Sequence, residues 1–253
     1  MPRYKLLITY DGTAYQGWQK QPEGKSIQGT LEKAIYHLFE QRVGIVGSGR
    51  TDAGVHALGQ VAHMDLSLSL QTNDLRTALN GHLPGDIRVR EVEIVSDTFH
   101  ARYSAVKRAY AYLIRHGVDP SPFFRNAAHQ ISRPLDLERM NQAAATLVGK
   151  HDFSAFRATG GGHTLPVRRV FTSEIFPLSN HFLCYLVIAD AFLRKMVRGI
   201  VGTLLEIGMG KSKPSLMTRL LAEKDRSLMG TLAPPQGLYL AAVFYPEPRD
   251  GAD

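Results

Sequence analysis

Cysteine is nearly missing from this chain: Cys184 is the only one in 253 residues. A disulfide within the chain is therefore impossible, and so is a zinc site built from several thiolates. Long apolar runs are missing too. No stretch approaches the ~18 apolar residues of a membrane span, and the first residues hold no signal-peptide core. The expectation is a cytoplasmic protein with no membrane partner. Acidic residues are in the minority, 23 against 30 Lys and Arg, for a formal net charge of +7. That balance favours an anionic partner, nucleic acid first.

Familiar catalytic signatures are also absent. Gly47-x-Gly49 begins like a dinucleotide fingerprint, but position 52 is Asp and His56 to His63 reads as a strand, not a helix opening. There is no phosphate-loop Gly-Lys-Ser/Thr, no Gly-x-Ser-x-Gly and no recognisable Ser-His-Asp order. His56 and His63 lack a third ligand at suggestive spacing, and His151-Asp152 reads as a local turn bond, so no metal site is expected. Cys184 lies in the apolar run Phe182 to Ile188 and reads as a buried, inert thiol.

What is present describes a folded protein with its own core: 44% hydrophobic and 21% charged residues. Lys5 to Tyr10 reads as a buried strand. Ser26 is placed to cap a helix whose apolar positions are Ile27, Leu31, Ala34, Ile35, Leu38 and Phe39. Strands over Val43–Val46 and Gln60–Leu66 flank a glycine-rich turn. A helix near Asn73–Asn80, closed by Gly81 and Pro84, precedes a strand over Ile87–Val95. The second half repeats the order: a strand from Ala105 to Arg115, a loop at Pro120–Pro122, a helix from Leu137 to Val148, and paired strands over Val170–Phe176 and Phe182–Ala189. A long helix from Leu193 to about Gly208, a shorter one after Pro214 and a strand over Leu238–Phe244 complete it. The pattern predicts an α+β fold of two ferredoxin-like β-α-β-β-α-β halves, 1–104 and 105–253, with a largely antiparallel sheet. The repeat lies in the order of elements and not in the residues.

Three segments could carry chemistry. The densest is VGSGRTDAGVHALG, Val46 to Gly59, where four glycines surround Arg50-Thr51-Asp52. Glycines permit positive φ and close backbone approach, so this turn can present a guanidinium and a carboxylate to a ligand; a solvated surface turn is the plainer reading. In the strand from Ala105, Ala109, Ala111 and Leu113 alternate with Arg108, Tyr110, Tyr112 and Ile114. The first set reads as core. The second fits a cleft wall, or simply half-buried tyrosines on an amphipathic strand. In the long helix Arg194 and Arg198 stand four apart and share a flank beside the apolar stripe. Gly199 and Gly202 lie opposite, where another backbone can pack closely. An arginine at the edge of a buried stripe needs a partner, and Asp52 is one candidate.

Five ordered blocks then match a known family. YDGTAYQGWQ (Tyr10 to Gln19), GRTDAGVHALGQVAH (Gly49 to His63), FHARYSAVKRAYAY (Phe99 to Tyr112), AFLRKMVRGIVGTL (Ala191 to Leu204) and GLYLAAVFYP (Gly237 to Pro246) span nearly the whole chain. In these blocks the chain resembles the bacterial tRNA pseudouridine synthase A family. The resemblance implies isomerisation of uridine to pseudouridine at positions 38, 39 and 40 of the tRNA anticodon stem-loop, in a catalytic cleft between the halves, without cofactor or metal. It implies a homodimer. It implies that Asp52 is the catalytic aspartate, that Tyr110 stacks on the target base and that Arg198 pairs with the aspartate. Arg50 would hold the flipped-out nucleotide and Leu238 would line the pocket. Departures are small: Ala109 and Ala111 flank Tyr110 where relatives often carry larger or basic residues, and the glycine-rich Gly160 to Val170 fits its block loosely.

Residue types and chemistry agree. A uridine in a stem-loop must be extruded from its stack at a cost of a few kcal/mol, and an aromatic face returns about 1–3 kcal/mol. Two other classes compete. A non-catalytic RNA-binding protein has no need of Asp52, and the aromatic RNP pattern is missing. A hydrolase using Asp52 as nucleophile needs a water activator, and no His or Glu partner is evident.

Overall fold

Alternation builds the first strand: Tyr4, Leu6, Ile8 and Tyr10 are buried and their neighbours are only partly covered, which gives β1 (Arg3–Tyr10). The computed structural model describes residues 1–158 and 165–247. Ser26 Oγ accepts the Gly29 N–H at 3.2 Å and starts α1 (Ile27–Phe39), whose inner face is Ile27, Leu31, Ala34 and Ile35. The helix ends as Glu40 turns to a φ of 54°. There follow β2 (Val46–Gly47), β3 (His56–Asp65), α2 (Thr72–His82) and β4 (Ile87–Val95). Their sheet order is β4-β1-β3, antiparallel, with Leu6 opposite Ala62 on one side and Val92 on the other. Nearly every residue of β3 is buried, as expected of a strand covered on both faces. The expected strand over Val43–Val46 shrinks to Val46 and Gly47, paired with His63 and Ala62. Gly81 sits inside α2 and does not end it.

The chain then runs through β5 (Lys107–His116), β6 (His129–Ile131), α3 (Leu137–Ala145), β7 (Gly149–Asp152), β8 (Val167–Ser179) and β9 (Phe182–Ala189). Then come α4 (Met196–Gly208), α5 (Ser215–Glu223) and β10 (Leu238–Phe244). Sheet order here is β5-β9-β8-β7, with β6 parallel to β5. Asp136 caps α3 by accepting the Arg139 N–H at 3.0 Å. Asn141 then locks α3 to β8: its amide donates to the Ile175 carbonyl and accepts the Ile175 N–H, at 2.7 and 2.8 Å.

Packing divides the chain into two compact units, Met1–Arg108 with the chain from Leu240 onward, and Ala109–Tyr239. The sequence reading draws its boundary at 104/105 and keeps the last strand with the second half. The packing boundary falls inside β5, and the last strand passes from the second unit into the first within β10. The class is α+β with mostly antiparallel pairing, as expected.

Three expectations are corrected. The second half carries two short extra strands, β6 and β7. The long helix starts at Met196 and not at Leu193, because Lys195 adopts a φ of 64° and breaks the helical run. Arg194 therefore precedes the helix, and it and Arg198 do not share a helical flank. Within β5 Ala109 is buried as expected, with Tyr110 buried beside it, but from Ala111 on the order reverses: Tyr112 and Ile114 are fully buried while Ala111 and Leu113 are partly open. Two smaller readings stand. Burial pushes the Cys184 thiol up, away from reactivity. His151 Nε2 bonds the nearby Val148 carbonyl at 3.0 Å. The glycines Gly160 to Gly162 of the loosely fitting block lie outside the described residues.

Candidate active site

The glycine-rich loop between β2 and β3 belongs to the first unit, and its backbone is held along its length. Ser48 N–H donates to the Val61 carbonyl at 2.8 Å, and Ser48 Oγ donates to Gln60 Oε1 at 2.7 Å. The other end of the same amide, Gln60 Nε2, donates to the Gly49 carbonyl at 2.8 Å. Gln60 is 0% exposed, so its two bonds satisfy a polar group that cannot reach water. Arg108 adds a bond to the Ser48 carbonyl at 3.3 Å.

Past Arg50 the anchors change. Thr51 Oγ1 meets the Tyr10 hydroxyl at 2.8 Å, both side chains buried. The Thr51 carbonyl accepts the Trp18 N–H at 3.1 Å, the Asp52 carbonyl accepts the Val55 N–H at 3.2 Å, and Gly54 N–H donates to the Tyr15 carbonyl at 3.3 Å. Two glycines make the fit possible. A Cβ on Gly17, whose φ is +93°, would stand 2.4 Å from the Thr51 carbonyl oxygen, and one on Gly12 would stand 2.0 Å from that of Val55. On this fixed backbone Arg50 is exposed and Asp52 half-buried. The loop thus brings together two of the expected site residues, a cation and a carboxylate, with their main chain immobilised.

The other three, Tyr110, Arg198 and Leu238, lie in the second unit on regular elements. Tyr110, on β5, is 9% exposed and meets the Phe192 ring edge-on, centroids 4.9 Å apart. Arg198, in the first turn of α4, donates from Nε to the Ala233 carbonyl at 2.7 Å, and its own carbonyl accepts the Ala233 N–H at 3.0 Å. The adjoining Pro234 carbonyl accepts the Tyr112 hydroxyl at 2.9 Å. Burial pushes the Tyr112 phenol well up, and the nearby Arg198 charge opposes that rise. Leu238, the first residue of β10, is buried.

Close approach at glycines brings these elements together. A Cβ on Gly202 would stand 1.7 Å from the Thr231 carbonyl oxygen, and one on Gly237 would stand 2.7 Å from the Tyr112 ring. Gly202 therefore makes the close backbone contact that the sequence suggested for both glycines, whereas Gly199 meets side chains, with a Cβ there 2.6 Å from Met229 Sδ. The segment they admit, Met229 to Ala233, is also the one that holds Arg198.

Sequence reasoning missed the supporting residues. Gln60, Thr51, Tyr10 and Trp18 anchor the loop. A signal was available for Gln60: a lone amide in the strand-like stretch Gln60 to Leu66 must be paired if that stretch is buried. Nothing local marks Tyr10 as the partner of Thr51, since they are far apart in the chain. Among the described residues no three His, Cys, Asp or Glu side chains gather as a metal-binding group, and no helix is long and apolar enough to cross a membrane.

Comparison with known proteins places the loop and α4 in a wider set. A family model described as tRNA pseudouridine synthase matches residues 6–104 and 143–246. Arg50, Asp52, Arg198 and Leu238 fall inside the match; Tyr110 falls in the interval between its two segments. The chain is 45% identical over 246 residues to tRNA pseudouridine synthase A of Afipia carboxidovorans, covering 97% of this chain and 100% of that one. It is 42% identical over 245 residues to the protein of the same name from an Exiguobacterium species, covering 97% and 98%. With that of Syntrophomonas wolfei it shares 45% over 251 residues, covering 98% and 99%. Among solved structures, the archaeal box H/ACA Nop10–Cbf5 complex aligns at a TM-score of 0.36 and 11% identity, over 80% of this chain and 44% of that one.

Proposed function

This chain belongs to the tRNA pseudouridine synthase family, and from that premise we propose that it isomerises uridine at positions 38, 39 and 40 of the anticodon stem-loop. In this reading Asp52 is the essential carboxylate, and the enzyme works without cofactor or metal, as a homodimer in the cytoplasm. The reaction breaks the N1–C1′ bond, turns the uracil and forms a C5–C1′ bond. The C5 proton leaves and N1 takes one up, so the product is an isomer of the substrate.

The observation that carries the reading is the loop. Its backbone is bonded at Ser48, Gly49, Thr51, Asp52 and Gly54, yet Asp52 is only half-buried and Arg50 is exposed. A group that must meet a reacting atom gains from such preorganisation, because no loop ordering is left to be done when substrate binds. Asp52 acts as an anion in each role open to it: attack on C1′, addition to the uracil ring, or removal of a ribose proton.

The other residues take the parts the family resemblance implies. Arg50 holds the extruded nucleotide, Tyr110 stacks on the target base, and Leu238 lines the pocket. At 9% exposure little of the Tyr110 ring is open, so a base reaches it only as surrounding side chains shift. Arg198 pairs with Asp52 and aims it. Its Nε bond to Ala233 supports this role, since it fixes the direction in which the planar guanidinium fork points. Lysine at 198 keeps the charge and loses the fork. An Arg198→Lys enzyme should therefore lose most of its turnover, and full turnover would remove Arg198 from the proposal.

The decisive experiment follows tritium release from tRNA labelled at uridine C5. Wild-type protein should release it, and Asp52→Ala should release it about 10³-fold more slowly or not at all while still binding tRNA. Binding without release by the wild type would leave an RNA-binding protein and overturn the proposal.

A further inference from the structure

A second aromatic face stands close in structure to the loop, on the first unit alone. Tyr103 is 76% exposed, and the main chain beneath it is tightly bonded. Ser104 N–H donates to the His100 carbonyl at 2.9 Å, and His100 N–H donates to Ser104 Oγ at 3.0 Å. His100 Nδ1 accepts both the Arg102 and Tyr103 N–H groups at 3.2 Å. With the backbone of the turn already fixed, a base that stacks on the exposed ring has only the Tyr103 side chain left to order.

The turn rests on a series of rings. Tyr103 lies 4.3 Å from His100, His100 lies 4.8 Å from the buried His63, and His63 lies 6.2 Å from Phe99, which packs 5.0 Å from Tyr245. His63 Nδ1 accepts the Ala101 N–H at 3.1 Å. The His63 imidazole is pushed down to about 4 by burial, with Arg3 and His100 adding and Asp65 opposing, so the ring below the turn stays neutral at working pH.

Arg108 connects this turn to the loop. Its guanidinium donates to the Arg102 carbonyl at 2.6 Å and to the Ser48 carbonyl at 3.3 Å. The turn is thus fixed in place relative to the loop that carries Arg50 and Asp52. Its surroundings are cationic: the Arg102 guanidinium lies 5.5 Å from the Tyr103 ring, and Arg102 and Lys107 are both exposed. An exposed ring on a fixed backbone, flanked by cations, suits an unpaired base with its phosphate, because stacking and phosphate neutralisation act on the same nucleotide.

We propose that the Arg102–Tyr103 turn is a nucleotide-binding platform for the tRNA substrate, at which Tyr103 stacks on an unpaired base other than the target uridine and Arg102 meets a phosphate. The proposal rests on the tRNA reading above, and the two fail in different experiments. If wild-type protein releases no tritium, the reading fails. If it does release tritium, the platform is tested by equilibrium binding of tRNA.

Tyr103→Ala should weaken binding about tenfold, the effect of one lost base stack, while Tyr103→Phe stays within about twofold of wild type. Arg102→Ala should make the salt dependence shallower by about one phosphate contact, and Tyr103→Ala should leave that slope unchanged. Tyr103→Trp gives a readout independent of affinity. The chain's single tryptophan, Trp18, is buried, so added tRNA should quench the new exposed indole. Unchanged affinity in Tyr103→Ala, failure of Tyr103→Phe to restore it, or an unquenched indole in Tyr103→Trp would overturn the platform.

Discussion

The two units support their site residues by different means. Of the buried polar side chains among the described residues, Ser26, Ser48, Thr51, His56, Gln60 and His63 belong to the first unit and only Ser173 and Thr203 to the second. The reason is the backbone each must hold. The Ser48–Val55 loop has no ladder of its own, so buried side chains such as Gln60 and Tyr10 supply the partners that its peptide groups need. Tyr110 and Arg198 stand on β5 and α4, where regular structure already satisfies the main chain. There the fit is made by apolar contact and by glycines that admit the Met229–Ala233 segment, and that irregular segment is in turn bonded by Arg198, Thr203 and Glu206. Irregular backbone is fixed by buried polar groups, and regular backbone by packing.

This contrast can be broken or sharpened by substitution. The largest effect on stability should come from the second unit. Gly202→Ala puts a methyl group where only 1.7 Å separates it from a carbonyl oxygen, and neither backbone can yield cheaply. A loss of about 3 kcal/mol in urea unfolding is expected; a loss under 1 kcal/mol would show that the contact is loose. Next, Gln60→Ala should cost about 2 kcal/mol, because Ser48 Oγ and the Gly49 carbonyl lose a buried partner. It should lower tritium release more than stability alone explains, by about tenfold at a temperature where the variant is fully folded. Equal turnover in folded Gln60→Ala would separate the anchor from the chemistry.

A pH titration tests the same polar interior. The folded-state pKa of His63, about 4, lies below its ordinary 6.5. Between these values the unfolded chain binds a proton that the folded protein does not, so stability should fall as pH drops from 6.5 toward 4 and level off below that. His63→Gln should flatten that part of the profile in thermal melts at successive pH values. An unchanged profile would move the effect to other groups. The smallest effect should be that of Tyr112→Phe, which removes one hydroxyl bond to Pro234 and keeps the packed ring: about 1 kcal/mol. A larger loss would mean that the second unit depends on its polar contacts as the first does.

Local signals were legible wherever a residue's role depends on near neighbours. The Ser26 cap, the alternation in β1, the span Ile87–Val95, the pairing of β8 with β9 and the inert Cys184 all follow from residues close in sequence. The Arg50–Asp52 loop was legible as a site candidate because four glycines around a charged pair are unusual. Short elements were not. β6 and β7 hold three and four residues and are strands only because β5 and β8 offer them an edge. The start of α4 is hidden for a related reason: Leu193 to Met196 continues the apolar spacing, while Lys195 turns to positive φ in the folded chain.

The sequence alone determined the α+β class, the order of the main elements and, through its five blocks, the family. Each of these rests on periodicity, capping or residue identity, all of which are properties of the linear chain. Tertiary structure alone decided that Gln60 and Tyr10 immobilise the loop, that Tyr112 faces the core, that Arg198 bonds Ala233, and that Arg108 ties the Tyr103 turn to Ser48. Those pairings join residues far apart in sequence. Hydrogen-bond geometry and close packing act only once the fold has brought the groups within about 3 Å of each other.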